Sequence, residues 1–464
     1  MWRSIRIGLL FCISLTWQAA RSSPAPEAWW YGDFPVAEVK HGSRMIDGSG
    51  EYRVYQNFWF HAQRFYAVNC LSTKEANATA IKADMSLNMM LIEMPVAKAE
   101  DFYQHVQTGW WGGNTLLIDF PFPAFPENMG HWAEVLLPLY SALVAGTWRQ
   151  HVQGSSHHVD RLLLSNVRRE QLQAFEWLQA MLRISLAPAL PEGTPLPQII
   201  CYDELETMDT MMWLGMQNLI IVNDRYTHPK GRGGFASVEH GQQFREAAYK
   251  EAGLTRPSPW ALGGAPRTIT LLSAVLGEMV MNRDELLNSL EDIAEAFDMR
   301  VRPYSATSAA GFASYVSAMS KTGVLVARHG PMLANALFLP PGAVVLELLP
   351  YNWEWKGISQ VYHNVTTSVG DVHHFAWRAK HPRWAQYMDQ DEARYAHWTA
   401  EECSSRHCVE VHARAGMLAD TSTIHEMLMD VLPAAFRGAA VSDLKQPWPL
   451  AFTATGTTGL WWDK

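Results

Sequence analysis

The chain has 464 residues, of which 48% are hydrophobic and 18% charged, so it can build a sizeable core in two or three domains. Its 31 glycines and 25 prolines match ordinary globular usage, which excludes a disordered or fibrous protein. The net charge of -9 would repel a phosphate backbone, so nucleic-acid binding is not expected.

The first 23 residues have the pattern of a secretory signal. Arg3 and Arg6 precede an uncharged run over 7–20, which ends before Arg21. A run this short is typical of a cleaved signal peptide; an uncleaved signal anchor, which would attach the protein to a membrane, is the alternative, because a spanning helix needs ~20 apolar residues. The remainder is therefore predicted to enter the lumen of the endoplasmic reticulum or Golgi, or to be secreted.

The cysteines are consistent with that compartment. Removal of Cys12 with the signal leaves Cys70, Cys201, Cys403 and Cys408. An even count in an oxidising compartment predicts disulfides in one of three pairings, and the last two cysteines are the expected local bridge. Their spacing does not fit a metal site.

From residue 110 onward, short apolar runs alternate with helical patterns. The continuous apolar runs suit strands buried on both faces, and they are Thr115–Asp119, Gln198–Cys201, Leu219–Val222, Thr268–Leu272, Gly323–Ala327 and Ala343–Leu348. The helical patterns repeat apolar residues every three or four positions, and they are Gly130–Ala145, Ser165–Arg183, Gln242–Ala252, Arg283–Ala296 and Ala309–Ser320. This alternation predicts an α/β fold with parallel sheets.

A Pro- and Gly-rich stretch over 254–266 has the composition of a connection between domains. It predicts two Rossmann-like domains after the signal, 24–256 and 257–464, the second ending in a carboxyl-terminal tail.

The first candidate site lies near the start of the helix predicted over 130–145. Asn128, His131 and Glu134 follow one another at i+3 steps and would lie near one face of that helix. An imidazole suits deprotonation of a hydroxyl at luminal pH, with Glu134 holding its ring. Asp119, at the end of the preceding strand, is the alternative base. The structural alternative is a His–Glu pair that stabilises the helix start.

The second candidate site lies within 322–351, TGVLVARHGPMLANALFLPPGAVVLELLPY. Here a buried strand is followed by His329 and Gly330, and a short helix is predicted to begin near Met332. Ligands of open parallel sheets bind at the carboxyl ends of strands, and a helix amino terminus attracts phosphate. His329 and Gly330 are therefore placed for a diphosphate, and Glu347 for ribose hydroxyls. The structural alternative is that His329 caps the helix and Glu347 pairs with a neighbouring base.

This segment resembles the signature of glycosyltransferase family 61, which reads approximately H-G-A-G-L-x-N-x-x-F-L-P-P-G-A-x-x-x-E. The family contains plant β-1,2-xylosyltransferases, xylan arabinosyl- and xylosyltransferases, and protein O-linked N-acetylglucosaminyltransferases. The positions that match are His329, Gly330, Leu333, Asn335, Phe338, Leu339, Pro340, Pro341, Gly342, Ala343 and Glu347. The Asn128-x-x-His131 pattern also resembles the family. Pro331 and Met332 replace the small residues after His-Gly, and Ala274 stands where the family often has an arginine.

The resemblance implies a GT-B architecture, in which two Rossmann-like domains face a cleft, and an inverting transfer without an obligatory metal or cofactor. The second domain would bind a UDP-sugar, with xylose or N-acetylglucosamine favoured, through residues that follow or flank its strands: His329, Gly330, Arg328, Asn335 and Glu347. Arg328 is the candidate cation for the leaving diphosphate. The first domain would bind a glycan or glycoprotein acceptor and supply the base. A non-catalytic glycan-binding protein on the same fold is the alternative, favoured by Ala274 and by the altered Pro331 and Met332.

Three other polar patterns are predicted to have no catalytic or metal-binding role. Asp389 and Asp391 form a D-x-D, a metal-binding device of other glycosyltransferases, but their surroundings predict a solvated helix or loop. The adjacent pairs at 157–158 and 373–374 are predicted to be ordinary surface histidines. No metal site is therefore expected.

Overall fold

The structure is a computed structural model of the chain, and the elements below are numbered in chain order. It describes residues 43–47, 52–70, 89–94, 108–152, 157–207, 212–222, 233–255, 268–274, 280–306, 311–351, 353, 361–379, 381–398, 402 and 406–444. The predicted signal over 1–23 and nearly all of the predicted connection over 254–266 lie outside the described residues. The domain boundary therefore stays a prediction.

The first sheet is mixed, with eight strands among the described residues. They are β1 (Arg44–Asp47), β2 (Tyr52–His61), β3 (Arg64–Cys70), β4 (Met89–Met94), β5 (Thr108–Asp119), β6 (Arg161–Ser165), β7 (Gln198–Cys201) and β8 (Trp213–Val222). Their order is β4-β3-β2-β8-β5-β6-β7, with β1 beside β2. The strands from β8 to β7 in this order are parallel, so their carboxyl ends share one edge of the sheet.

The second sheet is entirely parallel, with five strands in the described part of the chain. They are β9 (Thr268–Ala274), β10 (Arg300–Ala306), β11 (Thr322–Arg328), β12 (Val344–Leu349) and β13 (His373–Arg378). Their order, β10-β9-β11-β12-β13, is that of a doubly wound sheet whose direction of winding reverses between β9 and β11. A short ribbon of β14 (Ala385–Gln386) and β15 (Gly416–Met417) lies apart.

Helices connect and cover these strands. They are α1 (Met129–Ala145), α2 (Arg169–Ala174), α3 (Glu176–Leu186), α4 (Tyr202–Glu206), α5 (Val238–Glu251), α6 (Arg283–Ala296), α7 (Phe312–Met319), α8 (Val361–Thr367), α9 (Gln390–Ala393), α10 (Arg406–Arg414) and α11 (Thr421–Phe436). The 3₁₀ segments are Thr147–His151, Ala187–Ala189, Pro331–Phe338, Pro382–Trp384 and Arg394–His397. Within the described ranges, no helix combines the length and apolarity that crossing a membrane requires.

One apolar core connects the two sheets. Trp132 of α1, Leu325 of β11 and Leu333 of the 3₁₀ segment are fully buried in the same cluster. The other face of the second sheet is covered separately, by Leu290 of α6 and Leu428 of α11. Because helices cover both faces, β11 and β12 are buried along their whole length, as their continuous apolar sequences require.

Helix α5 also joins the two halves through polar contacts. Arg245 is fully buried, and its Nη1 donates to Asp371 Oδ1 at 2.7 Å and to the Leu339 carbonyl at 3.0 Å, while its Nη2 donates to the other Asp371 oxygen. The Tyr249 hydroxyl donates to the Phe338 carbonyl at 2.7 Å. A helix from the predicted first domain therefore holds the turn that precedes β12.

The structure confirms all six predicted strands, and β7 and α6 have the predicted bounds. The helix predicted over Ser165–Arg183 is wrong at its start, because Ser165 ends β6. Asn166 then takes a left-handed φ of 62°, which ends regular pairing, and an extended Phe175 separates α2 from α3. The strand β6 itself was not predicted.

The four cysteines do not all pair. Cys201 is a buried free thiol, and burial raises its pKa to about 12. It ends β7, five strand positions from the β3 strand that contains Cys70, so about 24 Å separates the two at the usual strand spacing. Cys408 is disulfide-bonded, whereas Cys403, its predicted partner, lies outside the described residues.

Candidate active site

The second sheet places His329 at its switch point. The residue follows β11 directly, between the carboxyl ends of β9 and β12, where open α/β sheets bind ligands. Its N–H donates to the Leu348 carbonyl at 2.9 Å, which extends the pairing of β11 with β12 by one residue. The backbone therefore fixes this imidazole at the edge of the sheet.

A buried carboxylate lies behind the His329 ring. Nδ1 of His329 donates to Oε1 of Glu347, and His374 Nε2 lies 2.8 Å from Oε2 of the same carboxylate. The side chains of Glu347 and His374 are fully buried, whereas the His329 side chain is 6% exposed. Because Glu347 occupies Nδ1, Nε2 is the His329 nitrogen that can face a ligand.

The two imidazoles determine the charge of Glu347. Burial alone would raise its pKa, but the charges of and hydrogen bonds from His329 and His374 outweigh burial and lower the pKa to about 2. His363 lies behind His374, with 5.1 Å between the two ring centroids. Burial and the neighbouring His374 lower the pKa of His363 to about 3. A negative charge therefore backs His329, and His363 is neutral at pH 7.

Two aromatic side chains form the walls around His329. The Tyr362 ring lies 5.0 Å and the Trp353 ring 5.5 Å from it, both in edge contacts. These contacts restrict the ring to one orientation and shield it from solvent.

The other residues predicted for the donor side have structural partners. Arg328 is buried, and its Nη2 donates to the carbonyls of Ala413 and Ala415 at 2.8 and 3.0 Å. Asn335 is buried and donates to the Met332 carbonyl. Gly330 precedes the 3₁₀ segment with an extended backbone. Of these predicted residues, Gly330 lies beside His329 at the strand end, whereas Glu347 can influence a ligand only through the imidazole that covers it.

On the acceptor side, the first turn of α1 presents His131. The Asn128 side chain accepts from the His131 N–H at 3.0 Å and thereby caps the helix. Nδ1 of His131 lies 3.1 Å from Glu134 Oε1, and the His131 side chain is 27% exposed against 6% for Glu134. The ring stacks on Phe122 at 3.7 Å. This imidazole is held in place yet reaches solvent.

Asp119 is the last residue of β5 and lies at the edge of the first sheet where its parallel strands end. Its Oδ1 accepts hydrogen bonds from Ser165 Oγ and, at 3.0 Å, from Asn166 Nδ2. The left-handed φ of Asn166 turns that amide toward the carboxylate. Asp119 is half-buried and already holds two donors, so it is the more constrained of the two candidate bases.

The structure brings the His131 and His329 segments together. A Cβ added at Gly130 would lie 2.3 Å from the Tyr362 hydroxyl, and the Tyr362 ring contacts His329. The two predicted sites, far apart in sequence, therefore adjoin through one tyrosine.

Sequence reasoning missed His374, Tyr362 and Trp353. His373 and His374 were predicted to lie on the surface, which is wrong: both belong to β13 and are buried, with 2% and 5% of their surface exposed. The apolar run that surrounds them, from Val372 to Trp377, was a signal for a strand that could have been used.

The structure places the remaining polar patterns at or near the surface. Asp389 caps α9 by accepting from the Glu392 N–H at 2.7 Å, which explains one carboxylate of the D-x-D. His157 is exposed, and the His158 side chain is 42% exposed beside Asp160. Among the described residues, no three His, Cys, Asp or Glu side chains form a group that could hold a metal ion.

Comparison with protein-family models gives no match. Curated proteins match part of the chain, and they include protein O-linked-mannose beta-1,4-N-acetylglucosaminyltransferase 2 from Tetraodon nigroviridis, at 36% identity over 111 residues, and from Canis lupus familiaris, at 36% over 123 residues. The Mus musculus protein is 35% identical over 119 residues.

These matches cover 24%, 26% and 25% of this chain and 18%, 20% and 20% of the three relatives. The chain therefore spans about a fifth of the length of the curated relatives it matches. About a quarter of it is similar to proteins named as glycosyltransferases, which agrees with the resemblance to the N-acetylglucosaminyltransferases of family 61.

Proposed function

We propose that the chain is an inverting glycosyltransferase of family 61 type and GT-B architecture. It transfers a sugar from a UDP-sugar to a hydroxyl of a glycan or glycoprotein in the lumen of the secretory pathway. The similarity to O-linked-mannose N-acetylglucosaminyltransferases favours N-acetylglucosamine over xylose as the sugar. It also makes an O-mannosylated protein the first acceptor to test.

One observation carries the donor side of this proposal: an imidazole backed by a buried carboxylate lies at the switch point of a doubly wound sheet. Since Nδ1 of His329 donates to Glu347, the imidazolium form of His329 would donate its Nε2–H to a diphosphate, whose charge grows as the sugar leaves. Glu347 acts by orienting His329, not by touching ribose.

The acceptor side is supported by the half-exposed His131. In an inverting transfer, the acceptor oxygen attacks the anomeric carbon, and the bond from that carbon to the diphosphate oxygen breaks. His131 takes the acceptor proton, and Glu134 holds its ring in orientation. Asp119 is the alternative base because it lies at the carboxyl end of β5.

We infer that the transfer needs neither a metal ion nor a cofactor. The resemblance to family 61 implies that backbone N–H groups and side-chain cations neutralise the diphosphate. Asp389 of the D-x-D caps a helix. Arg328 would contribute to this neutralisation through the field of its buried charge, since its Nη2 is held by two carbonyls.

A donor panel with the full chain tests the proposal. UDP release from UDP-N-acetylglucosamine, UDP-xylose and UDP-glucose is measured with and without an O-mannosylated peptide. The expected result is acceptor-stimulated release that is largest for UDP-N-acetylglucosamine. No binding of UDP at millimolar concentration, and no release from any donor, would contradict it.

A non-catalytic glycan-binding protein is the second candidate. It is favoured by the engagement of Arg328 and by Ala274, which offers no cation where the family often has one. This candidate predicts that the O-mannosylated peptide binds while UDP-sugars are not turned over.

A further inference from the structure

Tyr362 lies between the two histidines of the candidate site. It is the second residue of α8 and is 7% exposed. Its ring lies 5.0 Å from the His329 ring in an edge contact, at an interplanar angle of 60°. Its hydroxyl lies beside Gly130, at the start of α1.

The hydroxyl reaches α1 where the helix has a glycine. A Cβ at Gly130 would lie 2.3 Å from the Tyr362 oxygen and 3.1 Å from two of its ring carbons. Real Cβ atoms essentially never come within 3.0 Å of another side chain, so Tyr362 could not keep this position if residue 130 carried a Cβ. Gly130 directly precedes His131.

One turn further along α1, a glycine of another segment lies between the same two helices. A Cβ at Gly233 would lie 3.4 Å from Glu134 Cγ and 3.5 Å from Val365 Cγ2. Gly233 therefore lies between Glu134, the partner of His131, and the turn of α8 that follows Tyr362. Helix α8 thus approaches the first two turns of α1 directly at Gly130 and through Gly233 at Glu134.

We propose that Tyr362 is a positioning residue that sets the distance between His131 and the donor held at His329; this role rests on the proposed function. Its ring positions the donor-side imidazole, and its hydroxyl positions the helix turn that carries the base. A displacement of about 1 Å between reacting groups can cost ~10²-fold in rate. One side chain that contacts both segments keeps that separation constant.

Unfolding measurements test the contact without any substrate. Gly130→Ala is expected to lower the unfolding midpoint of the full chain, although alanine ordinarily favours a helix. In the Tyr362→Phe background, the same change is expected to lower the midpoint less, because the clashing oxygen is gone. Gly112→Ala is the matched control, since its added Cβ would have only one atom within 4 Å, at 3.8 Å. An equal decrease of the unfolding midpoint in both backgrounds would show that the Tyr362 hydroxyl does not contact residue 130.

Activity measurements test the role. Tyr362→Phe keeps the ring on His329, so UDP affinity is expected to stay within about twofold of the unmodified chain. Transfer to the O-mannosylated peptide is expected to fall at least about tenfold, while hydrolysis of the UDP-sugar by water is retained. The ratio of hydrolysis to transfer therefore rises, which a loss of folded protein would not produce.

Two results would overturn this role in distinguishable ways. If the unmodified chain transfers sugar and Tyr362→Phe leaves transfer unchanged, Tyr362 does not position the base. If the unmodified chain neither binds UDP nor transfers sugar, the proposed function fails and this role fails with it.

Discussion

The candidate site contains two His–Glu pairs with opposite environments. His131 and Glu134 share one helix turn, and the His131 side chain is 27% exposed. His329 and Glu347 lie on neighbouring strands, with 6% and 0% of their side chains exposed, and a second histidine holds the carboxylate. The first pair reaches solvent through His131, whereas in the buried pair the carboxyl of Glu347 stays ionised because its pKa is lowered to about 2. This difference supports the proposed roles of His131 as a base and of His329 as an anion-binding group.

Removal of the buried carboxylate is expected to have the largest effect. Glu347→Gln leaves His329 and His374 without their shared charge partner, and breaking a buried pair costs about 3 to 5 kcal/mol of unfolding free energy. Glu134→Gln is the matched change in the other pair and is expected to cost less, because Glu134 has one imidazole partner and that partner is partly exposed. Urea denaturation measures both, and equal losses would contradict the contrast between the pairs.

Replacement of the exposed imidazole is expected to affect rate, not folding. His131→Ala should lower turnover by ~10²-fold or more, with UDP affinity nearly unchanged. His158→Ala is the control, because His158 is also half-exposed beside a carboxylate, Asp160. If Asp119→Asn abolishes turnover while His131→Ala retains most of it, the base is Asp119.

Acid should destabilise the buried pair in a defined window. The pKa of Glu347 is lowered to about 2, so its contribution to stability is complete above its ordinary value of 4.5 and is lost as pH falls toward 2. The loss approaches about 1.4 kcal/mol per pH unit in that window. Glu347→Gln should remove this part of the pH dependence; unfolding curves with the same slope in both proteins would be evidence against it.

His363 should affect stability at higher pH than Glu347 does. Burial lowers its pKa to about 3, below the ordinary 6.5, so the folded protein resists its protonation and loses stability as pH falls below 6.5. His363→Gln should reduce the loss between pH 6.5 and 4.5, a range in which Glu347 contributes little. An unchanged slope there would mean that His363 is not neutral in the folded chain.

Metal removal should have the smallest effect. Turnover should survive incubation with EDTA, because neither His–Glu pair needs an ion to hold its charge. Loss of activity in EDTA that Mn²⁺ restores, together with loss in Asp391→Ala, would instead indicate a metal-dependent transferase.

The contacts between residues close in sequence could be predicted from the sequence. His131 and Glu134 are three residues apart on a helix with a clear apolar pattern, so their contact follows from helix geometry. His329 follows a continuous apolar run, which is typical of a buried parallel strand, and its place at the strand end follows from that run.

The remaining contacts depend on strand order, which no local pattern determines. His374 reaches Glu347 because β13 pairs with β12, with His374 opposite Val345, two residues before Glu347 on the same face. The meeting of Tyr362 and Gly130 likewise requires α8 to lie against α1. The edge strand β10 was missed because its charged residues and proline, RVRPYSA, resemble a loop.

Isothermal titration with UDP on three proteins tests the central claim most directly. The unmodified chain is expected to bind UDP, His131→Ala to bind it equally, and His329→Ala to bind it at least about tenfold more weakly at a temperature where circular dichroism shows the variant folded. Equal UDP affinity in the unmodified chain and His329→Ala, or a loss confined to His131→Ala, would contradict the assignment of donor and acceptor roles to the two pairs.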